Sequence, residues 1–273
     1  MLRRATLILA CSGLVISGLS QAQNTNLAKP TNTVQKNIVF VHGAHFKASG
    51  WQQVQSYLKY SNIASVAVDL PGRHTDIDPK SITLPVAAKA LCEVLVAKPQ
   101  PVVLVVHSQG GAVAHAALKE CPQVVVSDLV YVTAVAPLDG AKPFALLSKK
   151  DEESYFKGVT YSDGWLRVTD KQAFVNTFTN STSQQVRDEV LNNAVDEPAV
   201  TGDGEVNITL KDLNNIKTHY IFALNDEIIS IESQRAIANS INPASLYILN
   251  SGHLPMLSQP KELSEAIKSA VRM

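Results

Sequence analysis

A serine, a histidine and a carboxylate, the three residue types that together activate an oxygen nucleophile, stand in this chain at the ends of apolar runs. Ser108 closes the run Pro101-Val-Val-Leu-Val-Val-His107 and is followed by Gln109-Gly110-Gly111. Asp226 comes just after Thr218-His-Tyr-Ile-Phe-Ala-Leu224, and His253 just after Ala244-Ser-Leu-Tyr-Ile-Leu-Asn250. A serine hydroxyl attacks poorly at neutral pH until an imidazole takes its proton, and the same imidazole then protonates the leaving group. A carboxylate on the other ring nitrogen fixes the tautomer and stabilises the imidazolium. His253 suits the first duty and Asp226 the second. Glu227, next in the chain, and Asp139, after an earlier strand-like segment, stay open as alternative acids.

Side chains so far apart in sequence need a scaffold that gathers loops. Val102 to Val106, apolar without alternation, reads as a strand buried on both faces, and Ala112 to Leu118 reads as a helix. Ser108 then sits on the turn between them, beside the amide dipoles of a helix N-terminus. Lys36–Val41, Ile63–Leu70, Asp128–Ala136, Thr218–Leu224 and Ala244–Asn250 read as further strands. Trp51–Tyr60, Leu84–Lys98, Ala112–Glu120 and Leu257–Val271 read as helices. This alternation predicts an α/β fold with about six mainly parallel strands flanked by helices. Active sites in such sheets lie at the carboxyl ends of the strands, where Ala44, Ser108, Asp226 and His253 all fall.

Between Pro137 and Leu213 the alternation stops. Phe174, Phe178, Val186, Val190, Leu191 and Ala194 recur at helical spacing, which predicts a helical lid insertion over 137–213. Seven of the sixteen aromatic residues fall inside it: Phe144, Tyr155, Phe156, Tyr161, Trp165, Phe174 and Phe178. About half are expected to wall an apolar pocket, the others to form the lid's own core.

His107-Ser-Gln-Gly-Gly111 on a strand-to-helix turn resembles the nucleophile elbow of the α/β-hydrolases, and the order serine, acid, histidine is the one that fold uses. One position departs from the pattern: Val106 stands where a glycine usually precedes the serine by two. The resemblance implies an oxyanion hole made by the backbone N–H groups of Ala44, in the His42-Gly43 turn, and of Gln109. Val41-His-Gly-Ala44 with Gly50-Trp51, the elbow, and Gly252-His-Leu-Pro-Met-Leu-Ser-Gln-Pro-Lys-Glu-Leu263 resemble the plant methylesterase and hydroxynitrile lyase branch and its bacterial relatives. Lyases of that branch carry a threonine in the His-Gly turn and a lysine directly after the histidine. Gly43 and Leu254 stand at those positions, so the resemblance implies hydrolysis of small to medium carboxylic esters through an acyl-enzyme, without a cofactor. Lactonase, amidase or perhydrolase chemistry on the same triad, or a ligand receptor on the same fold, are the other uses it leaves open.

Met1-Leu-Arg-Arg4, the apolar stretch Ala5–Leu19 and Ser20-Gln-Ala22 read as a signal peptide over 1–22, which implies export to the periplasm or beyond. Cys11 leaves a lipoprotein signal as the minor alternative. Residues 23–35 read as a polar, flexible leader before a domain over 36–273. The apolar stretch is too short and interrupted for a membrane helix. The whole chain has a formal charge of zero, and removal of 1–22 takes two arginines and no acid, leaving −2. Nothing in that balance attracts nucleic acid; the expected partner is a small-molecule ester, and the oligomeric state is open. His42, His45, His74, His115 and His219 show no metal-ligand spacing. Cys92 and Cys121 remain in the mature chain, on helices that are neighbours in this fold; an oxidising compartment allows a disulfide, and two buried thiols are the alternative.

Overall fold

A computed structural model describes residues 37–73 and 77–272. The expected signal peptide and leader, Cys11 and His74 lie outside the described residues. Asn37–Val41 (β1) leads through a 3-10 turn at Ala48–Trp51 to Gln52–Tyr60 (α1), and Ser65–Val68 (β2), Leu84–Val96 (α2), Val102–His107 (β3), Gly110–Glu120 (α3) and Val126–Val132 (β4) follow. The insertion contributes Lys149–Tyr155 (α4), Val159–Ser162 (β5), Trp165–Val168 (β6), Lys171–Phe178 (α5), Gln184–Asn193 (α6), Glu197–Pro198 (β7) and Leu210–Leu213 (α7). Lys217–Ala223 (β8), Ile231–Ile241 (α8), Ser245–Leu249 (β9), Pro255–Ser258 (α9) and Pro260–Val271 (α10) complete the chain.

Six strands pair in the order β2-β1-β3-β4-β8-β9, every neighbour parallel. The strand order reverses between β1 and β3, and in open α/β sheets ligands bind at that switch point, outside the carboxyl ends of the strands. The loops after β1 and β3, carrying Ala44 and Ser108, therefore meet there. All six residues of β3 are buried, as its unbroken Val/Leu run requires of a strand covered on both faces. Truncating a fully buried core leucine such as Leu104 costs about 2–5 kcal/mol, lost transfer energy plus the cavity left behind. Trp51 fills the space over β1, its ring stacked 4.5 Å from that of Phe40.

Most elements end within two residues of the sequence reading, and the larger differences have physical causes. The strand expected over Asp128–Ala136 ends at Val132, because Thr133 takes a positive φ of 36° and turns the chain out of the sheet. The helix expected over Leu257–Val271 is two, α9 and α10, separated at Gln259; Pro260 has no N–H to continue a helix and instead opens the next one. The insertion holds the helices expected of it and also an antiparallel sheet, in the order β5-β6-β7. Cys92 in α2 and Cys121 at the end of α3 are joined as a disulfide, with Cα atoms 5.8 Å apart.

Candidate active site

Three strand ends deliver the three candidate side chains to one point. His253 Nε2 lies 3.1 Å from Ser108 Oγ, and His253 Nδ1 lies 2.8 Å from Asp226 Oδ2. All three residues are buried. Asp226 is held from several directions: its Oδ1 accepts the backbone N–H groups of Ile228 and Ile229, at 2.7 and 2.9 Å, while its Oδ2 also accepts the Thr133 hydroxyl. With Asp226 as acceptor, Nδ1 of His253 carries the proton and Nε2 is free to accept one from Ser108. Of the alternative acids, Glu227 is exposed, and Asp139 sits in a left-handed turn whose amide donates to Ile208.

Ser108 has a φ of +50°, the left-handed backbone of a sharp strand-to-helix turn. For a residue with a Cβ that conformation costs on the order of 1 kcal/mol or more and persists only where the surroundings enforce it. Close packing without side chains does so here. A Cβ on Gly43 would stand 2.6 Å from Ser108 Cβ, one on Gly110 2.7 Å from the His42 carbonyl oxygen, and one on Gly111 1.9 Å from the Val135 carbonyl oxygen. These glycines, after the serine and across the switch point, provide the close approach at the turn. Val106 is accommodated inside β3, between Val41 of β1 and Tyr131 of β4. Gly43 lets the β1 loop approach the serine turn.

Ala44, Ser108 and Gln109 line a cavity of about 400 Å³. Among the described residues the backbone N–H groups of Ala44 and Gln109 have no hydrogen-bond acceptor. Buried amides are nearly always paired, so two open donors flanking a serine hydroxyl form a place for a developing negative charge. Phe144, Tyr155 and Phe156 of the insertion wall the cavity together with Leu147, Leu166 and Ile229. Phe174 and Phe178 stack on each other with centroids 4.0 Å apart and pack edge-on to His45, Phe178 also edge-on to His253, so they neither wall this cavity nor form a core of the insertion alone but seal the insertion onto the loops that carry the site. Trp165 lines a separate cleft, beside Arg167, and Tyr161 is exposed.

The remaining described histidines have structural partners. His42 donates from Nδ1 to the Gly43 carbonyl and accepts the Leu70 N–H at Nε2, bracing the turn that presents Ala44; burial, reinforced by the nearby Arg73 charge, holds it neutral well below the usual imidazole range. His107 donates to the His253 carbonyl at 2.8 Å, and burial next to His253 depresses it too. His115 joins the Pro137 carbonyl to the Tyr131 hydroxyl, with burial lowering its pKa to about 4. His219 bridges Ser245 and Asp128. No group of three metal-ligating side chains occurs among the described residues.

Two residues that contact the candidate site escaped the sequence reading. Thr133 stands inside what reads as an uninterrupted strand, and Glu197, buried against Gln109, His45 and Arg73, stands in the insertion with no motif around it.

A parallel six-stranded sheet with a serine on a strained turn after its third strand defines an α/β-hydrolase architecture. The chain belongs to the alpha/beta hydrolase family, whose model matches residues 38–266. A putative chloroplastic methylesterase of Arabidopsis thaliana is 27% identical over 252 residues, covering 86% of this chain and 71% of its own. Methylesterase 9 of the same plant is 27% identical over 260 residues, covering 85% and 96%. Among solved structures, a pyrethroid hydrolase from Sphingobium faniae superimposes with a TM-score of 0.71 at 20% identity, over 86% of this chain and 96% of that one. A methylesterase from Arabidopsis superimposes with a TM-score of 0.72 at 21% identity, over 87% and 99%. The expected likeness to plant methylesterases is thus present in the relatives themselves.

Proposed function

We propose that this chain is an exported serine carboxylesterase that cleaves small to medium carboxylic esters. The observation that carries the reading is the continuous relay from Ser108 Oγ through His253 to Asp226, opening on a cavity beside two unpaired amides. Ser108 Oγ attacks the ester carbonyl carbon as His253 Nε2 takes its proton. The oxyanion forms between the N–H groups of Ala44 and Gln109, donors already in place before charge develops, so little reorganisation is needed. Collapse expels the alcohol, protonated by His253, and leaves an acyl-Ser108 intermediate. Water, deprotonated by the same imidazole, attacks that intermediate and releases the acid. The methylesterases and the pyrethroid hydrolase among the relatives favour esters over other acyl donors. The largely apolar wall of Phe144, Leu147, Phe156 and Leu166 suits an apolar acyl or alcohol group and excludes water from the reaction. Export is inferred from the charged, then apolar, N-terminal residues, and a Cys92–Cys121 disulfide fits an oxidising compartment.

Turnover of a panel of p-nitrophenyl esters, with labelling of the purified protein by a fluorophosphonate, tests the reading. The wild-type chain is expected to hydrolyse the panel and be labelled at Ser108. Ser108→Ala is expected to lose the label and on the order of 10⁴- to 10⁶-fold in kcat with its melting temperature retained. Hydrolysis surviving in that variant, or a wild-type chain that binds esters without turnover, as a receptor on this fold would, contradicts the proposal.

A further inference from the structure

The geometry points to Glu197 as a positioning residue through which the insertion clamps together the two backbone segments that carry the oxyanion donors. This rests on the reading of Ser108 as nucleophile. One carboxylate oxygen of Glu197, Oε1, accepts from Gln109 Nε2 at 2.8 Å, and the other, Oε2, accepts from the backbone N–H of His45 at 3.1 Å. Gln109 lines the cavity and has an unpaired N–H of its own, and His45 directly follows Ala44, the other donor. A single buried carboxylate thus ties the turn after β3 to the loop after β1.

The tie acts where the backbone most needs holding. His45 has a φ of +62°, uncommon for a side chain with a Cβ, and Ser108 is also left-handed. The insertion grips His45 by further bonds: its carbonyl accepts the Val195 N–H at 2.8 Å, its Nδ1 donates to the Val195 carbonyl at 3.0 Å, and its Nε2 accepts the Tyr155 hydroxyl at 2.8 Å. Every one of these contacts reaches His45 from the insertion. An oxyanion hole works only if its donors are aimed before the charge forms, and displacement of a donor by a fraction of an ångström weakens it in the transition state.

Electrostatics explains the last member. A bare carboxylate beside an oxyanion hole would oppose the charge the hole exists to stabilise. Arg73 Nη2 lies 2.8 Å from Glu197 Oε2, both side chains almost fully buried, so the pair presents little net field to the cavity. Isolated burial of an ion pair seldom stabilises a fold by itself. Two of the three donors on Glu197 belong to the oxyanion segments, a use that offsets the desolvation of the carboxylate.

Glu197→Gln is nearly isosteric but removes the charge and replaces one acceptor by an N–H₂ group, so that either the donors of Arg73 and His45 lose an acceptor or the Gln109 amide must turn to accept, and every remaining arm of the clamp loses its charge-assisted strength. The readout is the wild-type and variant kinetics on one p-nitrophenyl ester, together with inhibition by a trifluoromethyl ketone, which forms an oxyanion-like adduct, and by the matching methyl ketone, which does not. The expected result is a kcat lowered roughly 10- to 100-fold with KM within about threefold. Trifluoromethyl ketone affinity should fall by a similar factor and methyl ketone affinity stay unchanged. A kcat within about twofold of wild type, or equal weakening of both ketones, overturns the inference. If Glu197→Gln gives no native melting transition, Gln109→Met decides, since it cuts only the elbow arm and leaves the Arg73 pair in place. It should show the same split with roughly tenfold loss of kcat, and an unchanged kcat overturns the clamp. Ser108→Ala in the same assay separates the two levels: retained turnover there removes the nucleophile itself, whereas an inactive Ser108→Ala beside an unaffected Glu197→Gln rejects the clamp alone.

Discussion

Asp226 does more than carry charge, because its two oxygens have different tasks. Oδ1 is committed to the amides of Ile228 and Ile229, which leaves Oδ2 for His253 and Thr133. In Asp226→Asn the two amides still require an acceptor, so the new N–H₂ group must face His253 Nδ1. The imidazole then accepts at Nδ1 and carries its proton on Nε2, where it cannot take one from Ser108. A loss of about 10⁴-fold in kcat is expected, with the fold intact by circular dichroism. Thr133→Val removes one charge-assisted hydrogen bond from Oδ2 without changing side-chain shape much, and roughly a tenfold loss of kcat is expected. A Thr133→Val enzyme as fast as wild type would assign that hydroxyl to the fold alone. The sequence made Ser108 and His253 legible because each ends an apolar run, and it narrowed the acid to three carboxylates. Thr133 was hidden because a threonine at the end of a β-branched run looks like one more strand residue.

At the scale of elements, the elbow depends on how closely α3 can approach the turn after β4. The Val135 carbonyl oxygen lies 1.9 Å from where a Gly111 Cβ would be, and this neighbour is backbone that cannot swing aside. Gly111→Ala is therefore expected to destabilise the chain by more than the roughly 1–3 kcal/mol typical of overpacking, read as a lower midpoint in urea unfolding. An unchanged midpoint would mean that α3 can shift freely, and with it Ser108. The strands and helices of the sheet were readable from period and composition, since each buries its own pattern against a neighbour. The β5-β6-β7 sheet of the insertion was not, because Val159–Ser162 and Trp165–Val168 are short and β7 spans only Glu197–Pro198. Phe174 and Phe178, by contrast, announced the helix α5 and its buried face by their spacing of four.

Across the whole molecule, buried imidazoles tie stability to pH. Burial lowers His45 and His115 to about 4, and His42 and His107 well below the ordinary value. In the unfolded chain all four titrate near 6.5. Between about pH 4 and 6.5 the unfolded state binds protons that the folded state refuses, so stability rises with pH through this window and is lost as pH falls. Each such group contributes a slope of up to about 1.4 kcal/mol per pH unit. Urea midpoints measured from pH 7.5 to 5 should fall steeply below pH 6.5, and a flat profile would contradict the burial of these rings. The Cys92–Cys121 bond closes a loop with a sequence separation of 29, for which loop-closure entropy gives roughly 3–4 kcal/mol. Cys92→Ser is expected to lower the melting temperature by several degrees and to remove its dependence on a reductant.

By itself the sequence determined the alternation of strands and helices, the turn that carries Ser108 and the order of the groups that follow it. Those are local properties: an apolar run, a glycine pair and a periodic face are written in adjacent residues. Tertiary structure alone decided that Asp226 is the carboxylate on His253, that Gly43 and Gly111 make room for the left-handed serine, and that Glu197 meets Gln109 and His45. Each of those pairings joins residues brought together by the switch in strand order between β1 and β3 and by the insertion folded over it. The chain's covalent order carries no local mark of which distant side chain completes a buried hydrogen bond.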